Sequence, residues 1–205
     1  MTIFSFTFRL LRKIIRYISY HITNIYSQII LNGNGVIYGK HLKCNGIPVV
    51  DVHRTAKMIV GSYCTFNSSI NSNPIGRYTP CLFMVRENAQ LIIGNKVGIS
   101  SAAIVCQNSI TIENNVKIGG GVCIYDTDFH SIDSNQRKYS TEDFKHKKTS
   151  PVLIKENAFI GAHSTILKGV TIGKNSVIGA CSVVTTNIQD NEVWAGNPAR
   201  FIRSI

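Results

Sequence analysis

Isoleucine or valine returns at every sixth position from Ile154 to Val184, at Ile154, Ile160, Ile166, Ile172, Ile178 and Val184. A helix repeats its apolar face after three or four residues and a strand after two, so neither accounts for this period. A glycine follows three of these residues (Gly161, Gly173, Gly179), and small residues or valine stand two positions before most of them (Ala158, Ser164, Val170, Ser176, Ser182). This is the hexapeptide signature of a parallel β-helix. Each hexad supplies one short strand with its apolar residue in a narrow core, and the glycine is expected to permit a tight backbone conformation at the corner. Three hexads close one triangular coil. No coil buries its apolar face alone, so coils stack at the strand spacing of about 4.8 Å.

The 205 residues allow one domain with an appendage rather than two full domains. Lys and Arg outnumber acids 22 to 11, for a formal charge of +11. These charges are spread over an N-terminal segment, one loop and the C-terminus, without the aromatic-interleaved stripe of a nucleic-acid platform. The expectation is therefore no nucleic-acid partner; phosphate-bearing ligands and an anionic membrane surface suit the charge better. Cys44, Cys64, Cys81, Cys106, Cys123 and Cys181 show no C-x-x-C or other metal-ligand spacing. They read as reduced, mostly buried small apolar side chains of a cytosolic protein, with no metal. No secretory signal with a small-residue cleavage site is evident, so a cytoplasmic location is expected.

Residues 1–30 differ from the rest. Phe4, Phe8, Leu11, Ile15, Ile18, Ile22, Ile25 and Ile29 fall on one helical face, Arg9, Arg12, Lys13 and Arg16 gather on another, and no acid occurs among the first thirty residues. Such a basic amphipathic helix suits the inner face of the cytoplasmic membrane as a peripheral anchor. The alternatives are a helix that caps the solenoid and, against four charges in the apolar run, one that spans a bilayer. Asn32-Gly33-Asn34-Gly35 ends the appendage, and residues 31–190 are assigned to the β-helix. Its register is intermittent up to Leu91, with Pro48, Pro74 and Pro80 marking corners or loops. It firms at Ile93, Ile99 and Val105, slips by one residue, and resumes at Ile112, Ile118 and Ile124. Residues 125–151 are polar and charged, too sparse in apolar residues for a coil, and read as a long loop leaving the stack to build a site. Residues 191–205 read as a cap and tail after Gly196-Asn197-Pro198 stops the repeat.

The stretches PVLIKENAFIGAHSTILKGVTIGKNSVIGACSVVTTNI and WAGNPARFIR, with the loop motif DTDFHSID, resemble the left-handed β-helix acyltransferases of the hexapeptide-repeat superfamily. The likeness is to O-acetyltransferases of bacterial surface polysaccharides and the related galactoside and maltose enzymes, over roughly residues 60 to 203. It implies an all-β, left-handed parallel β-helix, an exception to the usual right-handed crossover. It also implies a homotrimer with acetyl-CoA in clefts between neighbouring solenoids.

Acetyl transfer to a hydroxyl needs a base near neutral pH, and His130 in the interrupting loop is the candidate. Asp126, Asp128 and Asp133 lie near it in sequence and any of them suits the imidazole; following the resemblance, Asp128 is taken as partner. For coenzyme A, small residues at coil corners (Ala162, Gly179, Ala180) allow the pantetheine to approach, though corner geometry alone also demands small residues. Arg200 and Arg203, with Lys168 as a lesser candidate, suit the phosphates, and Thr185 and Trp194 the adenine end. Counting back one coil, Ser101 falls where the galactoside and maltose enzymes bind acceptor with an asparagine; Ser101 and Asp126 are the acceptor-side residues. His163 reads as surface or interface packing. The expected function is thus transfer of acetyl from acetyl-CoA to a sugar hydroxyl in O-antigen or capsule synthesis. The alternatives are a small non-polysaccharide acceptor, or a β-helix serving only as a binding or structural module. A zinc enzyme of the γ-carbonic anhydrase type needs an H-x-x-x-x-H pair that is absent here.

Overall fold

The computed structural model describes residues 3–75 and 79–205: a long helix and a triangular prism of stacked coils. One face of the prism stacks strands Ile37–Tyr38, Lys57–Val60, Gln90–Ile93, Ser109–Ile112, Val152–Ile154 and Thr171–Ile172. The second stacks Lys43–Gly46, Thr65–Ser68, Gly98–Ser100, Lys117–Ile118, Phe159–Ile160 and Val177–Ile178. The third stacks Val49–Val52, Leu82–Val85, Ala103–Cys106, Cys123–Tyr125, Thr165–Ile166 and Val183–Val184. All these pairings are parallel, and the fold is the left-handed β-helix.

Register aligns the hexad residues into three buried columns: Ile112, Ile154 and Ile172; Ile118, Ile160 and Ile178; Ile124, Ile166 and Val184. The serines two positions earlier have a specific use. Ser164 and Ser182 Oγ both donate to the Gly179 carbonyl (2.9 and 2.7 Å) and Ser176 Oγ to Gln189 O (2.6 Å), so these buried hydroxyls are satisfied by corner carbonyls. The one-residue slip also differs in detail from the sequence reading. Ile104, not Val105, enters the core opposite Ile124, and Val105 pairs with Tyr125.

The hexad glycines are required for a different reason than expected. Gly161, Gly173 and Gly179 do not have positive φ; the left-handed corner positions are Asn115, Asn157, Asn175 and Asn191, with His163 and Cys181 at another corner. Asparagine tolerates that conformation, and its amides ladder from Asn157 to Asn175 (2.9 Å) and on to Asn191 (2.8 Å). What excludes a side chain at Gly161 is the coil above: a Cβ there would lie 2.6 Å from the Ala180 nitrogen and the Ile178 carbonyl oxygen.

Helix α1 (Ile3–Gly33) is about 46 Å long. Its C-terminal part closes the open edge of the first coil. Asn24 Oδ1 accepts from Cys44 N (2.9 Å), Asn34 Oδ1 accepts from Val52 N (3.3 Å), buried Ser27 donates to Gly46 O (3.2 Å), and Leu31 enters the core. An open strand edge would otherwise leave these groups unpaired. Residues 6–19 are exposed on every side. No described helix is long and apolar enough to cross a membrane. At the far end, strands Glu192–Gly196 and Ala199–Ser204 form an antiparallel hairpin over the last coil. Four of the cysteines are buried, but Cys123 is half-buried and Cys181 exposed.

Candidate active site

The loop leaves the prism after Tyr125 and returns at Val152. Its neck is held by an antiparallel bridge between Thr127 and Thr149, with Asp128 N donating to Lys148 O (3.0 Å) and Ser150 N to Asp126 O (2.9 Å). Beyond the neck it is not irregular: it contains helices α2 (Ser134–Arg137) and α3 (Ser140–His146).

His130 stands where the chain turns out of the neck. Phe129 has φ +64° and His130 N donates to Asp128 O at 2.7 Å, a γ-turn that a non-glycine residue adopts only under constraint. The constraint is visible: Phe129 N donates to Thr127 Oγ1 (3.0 Å), and its ring meets Tyr125 edge-on at 5.1 Å. Burial, then a hydrogen bond with Cys123, pushes the Tyr125 phenol up to about 12, so it is neutral at physiological pH.

The His130 Nδ1 lies 2.6 Å from Asp143 Oδ2, and Asp143 Oδ1 accepts from Ser131 N, also at 2.6 Å. The imidazole hydrogen bond, then the Ser131 amide, holds the Asp143 carboxyl below the usual carboxylate range. An ionised carboxylate only accepts, so Nδ1 carries a proton, and in the neutral ring it is Nε2 that presents the lone pair. The Asp143 side chain is 14% exposed while that of His130 is 68% exposed, which leaves Nε2 open to a substrate. Helix α2 steadies the arrangement: Ser131 Oγ donates to Gln136 (2.7 Å) and Arg137 donates to the Ser131 and Ile132 carbonyls.

Several expected assignments are corrected here. The carboxylate on His130 is Asp143, not Asp128; Asp128 pairs instead with Lys168 at 3.0 Å. Asp133 caps α2 through Asn135 N. Asp126 is fully buried and accepts from Gln107 N and Asn108 N, each at 2.8 Å, so both oxygens are occupied and it does not face an acceptor. Ser101 is likewise buried, its hydroxyl directed at Asn67 O. Trp194 sits over Ile178 and against the core, its indole N–H on Glu192 (2.8 Å) and its ring edge-on to Phe201, so it closes the prism end with part of its surface left open. At Gly179 a Cβ would lie 2.8 Å from Ala195 Cβ, so its smallness serves coil stacking. His163 is half-buried at a corner, packed over Gly121. Asp143 escaped the sequence reading because it stands thirteen positions from His130, in a stretch read as a loop without helices, whereas the fold turns its carboxylate to His130.

Ala162 is half-exposed, and Ala180 and Thr185 are exposed, on the surface after the loop. Arg200 and Arg203 are three apart, so in a regular strand they would point to opposite faces. A register shift between Val193 and Trp194 pairs Arg203 with Val193 and Arg200 with Ala195, placing both guanidiniums on one face. Neither meets a carboxylate among the described residues. Two guanidiniums that meet only neighbouring backbone carbonyls, beside small exposed residues, fit a phosphate-bearing ligand with an extended arm. Among the described residues no group of three His, Cys, Asp or Glu side chains could hold a metal ion.

Residues 151–186 match the family model of the bacterial transferase hexapeptide (six repeats). A putative acetyltransferase of Saccharomyces cerevisiae is 37% identical over 143 residues, 70% of this chain and 60% of that protein. Galactoside O-acetyltransferase of Escherichia coli is 42% identical over 105 residues, 50% of this chain and 47% of that protein. The chain thus spans about half to three-fifths of the length of these curated relatives. Among solved structures, an N-acyltransferase from Bacillus cereus in complex with dTDP and coenzyme A aligns with a TM-score of 0.68 over 87% of this chain and 90% of that one. At 22% identity that likeness is one of fold.

Proposed function

We propose that this chain, which belongs to the hexapeptide-repeat acyltransferase superfamily, transfers the acetyl group of acetyl-CoA directly to a sugar hydroxyl in bacterial surface polysaccharide synthesis. The observation that carries the reading is the His130–Asp143 pair, with Nδ1 held at 2.6 Å and the ring otherwise exposed. Nε2 takes the proton of the acceptor hydroxyl as its oxygen attacks the thioester carbonyl. The C–O bond forms, the C–S bond breaks, and the coenzyme A thiolate leaves with the proton returned by the imidazolium. Asp143 holds the tautomer and stabilises the imidazolium while it lasts.

Arg200 and Arg203 are assigned to the phosphates of acetyl-CoA, with Ala162, Ala180 and Thr185 along the path of its arm. These residues lie on open prism surface, so a wall from a neighbouring copy is needed to make a cleft, and the working assembly is a homotrimer. A sugar acceptor is supported by the similarity to galactoside O-acetyltransferase. Ser101 is buried where an acceptor contact was expected, so the acceptor is contacted by other residues.

The test is thiol release from acetyl-CoA with a panel of sugars and oligosaccharides, with mass analysis for one added acetyl group. Acetylated glycan formed by the native chain and not by His130→Ala is the expected result. Coenzyme A binding without thiol release for any sugar would overturn the assignment.

A further inference from the structure

We propose that α1 docks the protein on an anionic lipid surface, with its apolar stripe in the acyl boundary and its basic residues among the head groups. This does not depend on the transfer activity. The stripe Phe4, Phe8, Leu11, Ile15, Ile18, Ile22, Ile25 and Ile29 is 51–78% exposed along its whole length. That includes Ile22, Ile25 and Ile29, at the level where the helix touches the prism. Contact with the prism is made from the other side, through Asn24, Ser27 and Leu31. At roughly 100° per residue these lie away from the stripe. Capping the first coil therefore leaves the apolar face unused, and a contiguous exposed apolar surface of this extent marks an interaction site.

The chemistry of the partner follows from charge. Arg9, Arg12, Lys13 and Arg16 meet no carboxylate among the described residues, α1 contains no acidic residue, and the first acid in the chain is Asp51. The complementary surface is negative outside and apolar beneath, which describes anionic lipid. The steps of four and three along the stripe also suit a helix seam between copies of the chain. Two observations weigh against that occupant. Phe6, Leu10, Ile14 and Tyr17 are also exposed and widen the apolar surface well beyond a seam, and a seam offers Arg12 no acidic partner. A lipid surface covers the whole arc at once, with the stripe lying in the membrane plane for about 38 Å.

The experiment is flotation of the full chain with phosphatidylcholine vesicles and with vesicles containing one quarter phosphatidylglycerol, at low and high salt. Two full-length variants accompany it: Ile15→Asn/Ile18→Asn/Ile22→Asn, and Arg9→Gln/Arg12→Gln/Lys13→Gln/Arg16→Gln. The native chain is expected to float with the anionic vesicles and to be released by salt. Each basic residue removed should lower partitioning roughly fivefold. The stripe variant should stay in the soluble fraction with unchanged solution mass and an unchanged unfolding transition of the prism. Failure of the native chain to bind anionic vesicles, equal binding to both vesicles, or unchanged flotation of either variant overturns the proposal. So does a change of solution mass in the stripe variant, which assigns the stripe to a contact between copies.

Discussion

Asp143→Asn separates catalysis from architecture at this site. The carboxylate offers two acceptors, one to His130 Nδ1 and one to Ser131 N, both at 2.6 Å. The amide offers only one. If its oxygen stays on the Ser131 amide, its NH2 faces Nδ1, which must then accept; the ring proton moves to Nε2 and the base is lost. If the amide flips, its NH2 meets the Ser131 N–H, two donors face each other, and the loop shifts. Either arrangement removes a correctly protonated base, so turnover should fall on the order of 10²- to 10⁴-fold. The KM for acetyl-CoA should stay near its native value, because no coenzyme contact is altered. The assay is initial-rate thiol release at varied acetyl-CoA, alongside Asp128→Asn, which weakens a structural pair with Lys168. Near-native turnover in Asp143→Asn, or a larger loss in Asp128→Asn, would show that the carboxylate has been misassigned.

Gly161→Ala pushes a Cβ to 2.6 Å from backbone of the next coil and should cost about 1–3 kcal/mol in denaturant unfolding. Gly98→Ala meets only the flexible Lys117 side chain at 3.3 Å and should stay within about 0.5 kcal/mol, so equal costs would refute the stacking argument. Asp126→Ala removes the acceptor of the Gln107 and Asn108 amides and should cost about 1–3 kcal/mol in all, leaving the acceptor KM of the folded fraction unchanged; a raised acceptor KM would return Asp126 to the acceptor site. Arg200→Ala/Arg203→Ala should raise the KM for acetyl-CoA about tenfold or more and narrow the preference over the 3′-dephospho form, whereas an unchanged KM would place the phosphates elsewhere. Asp143 has a folded pKa below its ordinary value, so its hold on the loop is present above about pH 4 and is lost as pH falls through the depressed value. Hydrogen-exchange protection at Ser131 should therefore be level from pH 7 to about 5, after correction for intrinsic rates, and collapse only in stronger acid; loss between pH 7 and 5 would contradict this.

The repeat was legible because stacking is one-dimensional: each coil meets only its neighbours, so a residue's position in the period decides whether it points inward. Ile154, Ile160, Ile166, Ile172, Ile178 and Val184 follow that rule, and all are buried. The helix and its two faces were legible for the same reason, since amphipathic spacing is local. Periodicity says nothing about contacts made outside it. That His130 meets Asp143 depends on a γ-turn and two short helices folding a loop back across thirteen positions, with three nearer aspartates taken up by Lys168, by two backbone amides and by a helix cap. A one-residue register shift, invisible in spacing, brings Arg200 and Arg203 to a common face. Which side of α1 the prism covers was decided by Asn24, Ser27 and Leu31 meeting an open strand edge, and that choice left the apolar stripe facing outward. Local pattern sets what each segment must bury; only the assembled coils decide which of its remaining groups find one another, because those meetings need surfaces that exist only once the stack is built.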